Sequence, residues 1–329
     1  MVKKSYKKEK RESFGQKLVN LLLTVLIACA ISSQVCPAAN NNLRFAQISD
    51  AHFSSNENNT SYKLLKKSAD LIDDAVFQLN TSGPYDFVVF TGDLINQPQK
   101  SELDKFLDHI DKLNYKWCAI NGNHDVAIGG DLTKREFRKK INSGGTSYKS
   151  DKPYFAFTPK KGFRVICLDS IIDYKVTTNG EISKEELDWL KEELDNHSDD
   201  TVIICTHVPI DEPFSSPNHR LNNEYDVKHL LRSYNNPIIV LQGHYHCARA
   251  KQSNNIVYIT TPSLVSFPNA FRVININTNK NRTIVDIFLK ETNLKETQTH
   301  AKIRVMGTDI LYGADEDRNN SFEIKRNKE

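Results

Sequence analysis

From residue 43 onward, short runs of consecutive apolar residues alternate with stretches whose apolar positions recur every three or four residues. The runs at Leu43 to Ser49, Asp86 to Thr91, Lys116 to Ile120, Phe163 to Leu168, Thr201 to Thr206 and Ile238 to Gln242 read as strands. Between the first two, Leu65, Ala69, Ile72, Val76 and Leu79 keep helical spacing and predict an amphipathic helix over 62–79, packed on a sheet. Ser183 and Glu186 form a capping-box pattern ahead of Leu187, Leu190 and Leu194, which opens another helix. Alternation of this kind predicts an α/β fold. After His246 the pattern changes. Ile256 to Thr260, Phe271 to Asn277 and Thr283 to Leu289 are strand-like with no helix between them, which predicts a second, more antiparallel sheet. A main domain over 43–290 is thus followed by a polar extension, 291–329, in which Ile303 to Tyr312 could add one edge strand and the last dozen residues look frayed.

The N-terminus has a different character. Seven Lys or Arg against two Glu in the first seventeen residues precede a short apolar run, Leu18 to Ser32, and then small and polar residues. This is the layout of a secretory signal, so residues 1–39 are expected to be a signal peptide or an N-terminal membrane anchor. Leu26-Ile27-Ala28-Cys29 resembles a lipobox that would place a lipid on Cys29, and Cys36-Pro37-Ala38 offers an ordinary cleavage site. The expected location is extracytoplasmic, either released or held at the membrane by this segment. The leader also changes the meaning of the net charge. The whole chain is +3 and the first seventeen residues are +5, leaving −2 for the body. Such a body carries no global footprint for nucleic acid. With Cys29 and Cys36 assigned to the leader, Cys118, Cys167, Cys205 and Cys247 are expected to be small buried hydrophobes, since no C-x-x-C spacing supports a zinc ribbon.

Five polar clusters each follow a strand-like run: Asp50-Ala-His52, Gly92-Asp93, Gly122-Asn-His-Asp125, Thr206-His207 and Gly243-His-Tyr-His246. Any one alone reads as a turn, a cap or a solvated strand end. Together they share one address. If their strands are neighbours in a sheet, the side chains converge at its carboxyl edge, where α/β folds place their sites. The mixed nitrogen and oxygen donors suit Zn, Mn or Fe, and the lack of thiolate argues against a structural zinc finger.

The order D-x-H, G-D, G-N-H-D, H, G-H-x-H resembles the calcineurin-like metallophosphoesterase family across about residues 43 to 277. Leu168-Asp169-Ser170, Thr206-His207-Val208-Pro209 and Thr261-Pro262-Ser263 are most similar to the bacterial branch that includes cyclic-nucleotide phosphodiesterases. The resemblance implies a two-sheet β-sandwich flanked by helices. It implies two divalent ions (Mn, Fe or Zn), with Asp50, His52 and His246 on the first, Asn123, His207 and His244 on the second, and Asp93 bridging them. A hydroxide between the ions would hydrolyse a phosphomonoester or phosphodiester of a small substrate, because metal binding lowers the pKa of water. In this picture His124 stands beside the leaving oxygen and Asp125 orients it. Asn96 would support Asp93 through hydrogen bonds. By strand alternation Tyr245 and Cys247 would face away from the metals, Tyr245 in packing, and His219 and Arg220 lie in the loop Pro209 to Asn223, which is either a substrate rim or, the reading preferred, a plain surface loop. Two other readings share these residues: a catalytically silent binding scaffold and a nuclease. The intact ligand set disfavours the scaffold, and the charge of the body disfavours the nuclease.

Overall fold

A computed structural model describes residues 41–126 and 130–326. The expected leader therefore lies outside the described residues, as does part of the loop after Val126. The structure contains strands β1 (Asn41–Ile48), β2 (Phe87–Thr91), β3 (Trp117–Ile120), β4 (Phe155–Phe157), β5 (Phe163–Cys167) and β6 (Thr201–Cys205), followed by β7 (Ile238–Gln242), β8 (Arg249–Ser253), β9 (Ile256–Thr260), β10 (Ala270–Thr278), β11 (Arg282–Glu291) and β12 (Asn319–Lys325). The helices are α1 (Ser68–Ser82), α2 (Lys100–Ile110), α3 (Lys134–Ser143), α4 (Lys184–Asn196), α5 (Glu224–Arg232), α6 (Lys295–Arg304), α7 (Thr308–Tyr312) and α8 (Asp315–Arg318). No helix among the described residues is long and apolar enough to cross a membrane.

Two six-stranded mixed sheets pack face to face, in the orders β12-β11-β10-β1-β2-β3 and β4-β5-β6-β7-β9-β8. The apolar runs explain this directly. Phe45, Phe87, Val89, Ile203, Cys205, Ile239 and Leu241 enter the layer between the sheets. Their neighbours Ala46, Val88, Phe90, Val202, Ile204 and Val240 face the helices outside. Side chains alternate across a strand, so a strand covered on both faces must be apolar at every position. Cys118, Cys167 and Cys205 are buried free thiols in the inner layer, and Cys247 is buried elsewhere.

Several expectations need correction. The first helix begins at Ser68 after one 3-10 turn, Leu65–Lys67, and residues 62 to 64 are irregular. Leu64 N–H is taken by Val265 O, and Lys63 is drawn inward, so neither can join a helix. Ser183 caps α4 by accepting from Glu186 N, but the Glu186 carboxylate bonds Asp169 N instead of returning to Ser183. Only half of a capping box forms. The late strands build no sheet of their own. Ile256–Thr260 lies parallel beside β7, whereas β10 and β11 extend the sheet of β1. The C-terminal edge strand is Asn319–Lys325, not Ile303 to Tyr312, which is mainly helix end and α7. Phe322 and Ile324 of this strand add to the inner layer, so this part of the tail is ordered rather than frayed.

Candidate metal centre

All five polar clusters leave the carboxyl ends of strands, but not of one sheet. Asp50, Asp93 and Asn123 follow β1, β2 and β3, which run parallel in the first sheet, while His207 and His244 follow β6 and β7 of the second. The cluster therefore spans the open end of the sandwich. The backbone there is unusual. Asp50, His52, Asp93, His244 and His246 have φ values of 52°, 40°, 51°, 69° and 54°, all in the left-handed region. Such conformations cost free energy and concentrate at sites where side-chain direction matters more than backbone comfort. The intervening Gly92 also has φ of 88°, and a Cβ there would stand 2.5 Å from His207 Nδ1. A Cβ on Gly243 would stand 2.1 Å from Ser49 Oγ. These glycines let the two sheets close on each other around the site.

Asp93 sits at the centre. Its Oδ1 accepts from His124 N at 2.8 Å, while Oδ2 lies 3.5 Å from His52 Nε2 and 3.4 Å from His207 Nε2. On one side, Asp50, His52, Asp93 and His246 bring donor atoms within 4.8 Å of one another. On the other, Asp93, His207 and His244 do the same. Asp50 Oδ1 is 3.2 Å from His246 Nε2, and Asn123 Oδ1 is 3.2 Å from His207 Nε2. His207 Nδ1 donates to Thr91 O at 2.8 Å, which turns Nε2 toward the cluster. All four core side chains, Asp50, His52, Asp93 and His207, are buried. His244 Nε2 is buried without any hydrogen-bond partner.

The electrostatics match this crowding. Burial raises the Asp93 carboxyl, but His207, His124 and His52 outweigh it and hold the group well below the carboxylate range. Burial lowers His207, yet the Asp93 and Asp50 carboxylates carry it up to about 9. Burial, with His207 alongside, pushes His244 down to about 3, and burial with Lys63 pushes His52 well down. Two buried carboxylates face His52 and His244, which burial keeps neutral, and His207, which they hold protonated and whose proton a bound cation would displace; the orphaned His244 Nε2 supplies one more donor. The residues fit a pair of divalent ions.

The supporting residues differ from expectation. Asp125 does not reach His124. Its carboxylate accepts from Ile95 N at 3.0 Å and Gly122 N at 2.8 Å, tying the third cluster to the second. Burial and Asp93 raise it to about 8. His124 is oriented instead by a backbone carbonyl, donating from Nδ1 to Asn96 O at 2.7 Å. Asn96 makes no hydrogen bond to Asp93. It accepts from Lys63 Nζ at 3.3 Å and donates to Glu57 Oε2 at 2.6 Å. Lys63 escaped sequence reasoning altogether. Its ammonium is buried 3.2 Å from His52 Nδ1 and 3.3 Å from His124 Nε2, and burial lowers its pKa to about 8. No local signal marks it, because it looks like one more polar residue ahead of a helix. His219, in the loop read as a substrate rim or a plain surface loop, has its ring 5.3 Å from that of His244, as a rim position requires. Tyr245 packs against Phe214, as its assignment to packing anticipated.

With this geometry in view, the sequence profile described as calcineurin-like phosphoesterase matches residues 43–248. The chain belongs to the calcineurin-like phosphoesterase family. A probable cyclic nucleotide phosphodiesterase of Psychrobacter arcticus is 26% identical over 182 residues, 54% of this chain and 63% of that one. The chain thus spans under two thirds of that relative. A probable glycerophosphodiester phosphodiesterase of Arcobacter nitrofigilis is 28% identical over 229 residues, 66% of this chain and 77% of that one. Among solved structures, a dimetal phosphatase from Danio rerio shares the fold with a TM-score of 0.61 at 18% identity, covering 87% of this chain and 99% of that one. The family's two helix-flanked mixed sheets are those described above.

Proposed function

We propose that this chain hydrolyses phosphate esters at a pair of divalent cations. Asp50, His52 and His246 would hold one ion, Asn123, His207 and His244 the other, and Asp93 both. The observation that carries this reading is Asp93 Oδ2, placed 3.5 Å and 3.4 Å from the Nε2 atoms of two imidazoles in separate donor groups. When bound, such a pair supplies Lewis-acid stabilisation of phosphate charge and a nucleophile at neutral pH. The chain's own residues do the rest. His124, its Nδ1 proton committed to Asn96 O, presents Nε2 beside the cluster. Lys63 Nζ brings a donor to the same point and adds positive charge where the leaving oxygen becomes negative.

Diesters are favoured over monoesters by the shape of the surroundings. One cavity of about 580 Å³ adjoins His124 and Asn123, and another of about 520 Å³ adjoins His244 and His246. A phosphorus between them has room for an organic group on each side. The printed names of the relatives, phosphodiesterases for a cyclic nucleotide and for a glycerophosphodiester, agree with this preference. We also propose export, on the strength of the basic and apolar leader. The N-terminal residue of the mature protein, read by mass spectrometry, tests that part.

The activity is tested with bis-p-nitrophenyl phosphate and p-nitrophenyl phosphate, supplying Mn, Zn or Fe, alongside Asp93→Ala. Turnover that stops on chelation, returns with metal and drops at least about a hundredfold in the variant is expected, since one side chain serves both ions. A folded, metal-loaded protein that turns over neither ester would shift the balance to the scaffold reading.

A further inference from the structure

The cavity beside His244 and His246 has walls that the catalytic reading does not use. Phe214 and Tyr245 stack edge to face with ring centroids 4.9 Å apart, and Tyr62 lies 5.9 Å from the His246 ring. Another part of the lining is Val305, Met306 and Leu311, from the C-terminal stretch that the sequence suggested as an edge strand. That segment is fastened in place. Ala248 N donates to Leu311 O at 2.8 Å, Tyr312 OH to Glu291 Oε1 at 2.6 Å, and Arg304 Nη1 to Thr60 O at 3.1 Å. Leu64, Phe267 and Ala301 form a small apolar cluster beneath it. The rim is nevertheless left open. Met306 is 97% exposed and Phe214 is 42% exposed, although both border the cavity.

We propose that this cavity is a subsite for a flat aromatic group carried on the substrate's phosphate. The claim rests on the reading of the adjoining cluster as a phosphate-ester site. Because His244 and His246 line the cavity, an occupant is connected to whatever the cluster holds. Aromatic edges and a flexible thioether are the surfaces that flat rings contact best, which sets a ring apart from an alkyl chain. The C-terminal helices α6 and α7 thereby act as the specificity wall of the site, and Phe214 and Met306 are its selective residues.

Calorimetric titration of the metal-loaded protein with phenylphosphonate, hexylphosphonate and methylphosphonate tests this without requiring turnover. Phenylphosphonate is expected to bind at least about tenfold more tightly than methylphosphonate, or about 1.4 kcal/mol. Phe214→Ala and Met306→Ala, both at exposed positions where truncation leaves the core intact, should each shrink that ratio at least threefold. A wild-type ratio near one, a ratio unmoved by both substitutions, or a hexyl compound that binds as well as the phenyl one would overturn the subsite. Ester hydrolysis with an unmoved ratio would overturn the subsite alone. A selective ratio in a protein that hydrolyses nothing would overturn the catalytic reading and leave the subsite standing.

Discussion

At the scale of single residues, the site is built by conflict between side-chain direction and backbone preference. Five non-glycine residues adopt positive φ so that carboxylates and imidazoles from two sheets face one another. His124 and Asp125, adjacent in sequence, have separate duties. His124→Asn keeps a polar group but loses the nitrogen beside the cluster, so metal content should hold while kcat falls about 10²- to 10⁴-fold, read from metal analysis and steady-state rates. Asp125→Ala strands two buried backbone donors, those of Ile95 and Gly122. Each costs about 1–3 kcal/mol. Its main effect should be a lower midpoint in urea, with the acid limb of the pH–rate profile unmoved. A shifted limb would restore Asp125 as the residue that orients His124.

At the scale of elements, α4 carries an unusual carboxyl. Glu186, in its first turn, is buried and accepts from Asp169 N at 2.7 Å, and burial together with the Asp169 charge raises its pKa from 4.5 to about 9. The folded state thus holds a proton that the unfolded chain releases above about pH 4.5. Stability from this group is present at low pH and is lost as pH rises from about 4.5 to about 9. Glu186→Gln keeps an acceptor for Asp169 N and removes the titration. Its melting temperature relative to wild type should climb steadily between pH 5 and pH 9, and thermal melts across that window check the sign. A flat difference would mean that the carboxyl is ionised in the fold throughout.

At the scale of the molecule, the C-terminal edge depends on one buried cation. Arg272 in β10 is fully buried, and its guanidinium donates to Thr260 O at 3.1 Å, Asp317 O at 2.7 Å and Arg318 O at 3.3 Å. Burial lowers its pKa to about 10, so it stays charged at neutral pH. It joins β9, β10 and α8, and so sets where β12 begins. Arg272→Met leaves three carbonyls without this donor and should cost about 3 kcal/mol or more. Hydrogen exchange should show Asn319–Lys325 losing protection before the central strands do. Equal protection across both would place the anchor of β12 elsewhere.

The α/β class, most strands and the five strand-end polar clusters that the fold gathers at one end of the sandwich were legible in the sequence. Strands buried on both faces must be apolar throughout, and a polar residue placed directly after such a strand has few bland explanations when the pattern occurs five times. Sheet membership was not legible, because Ile256–Thr260 and Phe271 to Asn277 look alike locally and only long-range pairing separates them. The same holds for Lys63, Asn96 and Asp125. Each is a polar residue in a loop, and its role depends on which loop lies opposite. The C-terminal wall of the aromatic cavity is the extreme case, since Val305 and Met306 meet His246 only after some sixty residues of intervening chain have folded. Short-range periodicity and strand-end chemistry were therefore determined by the sequence alone. Contacts between segments distant in the chain were decided only by the tertiary structure, because their energies depend on partners that no local pattern specifies.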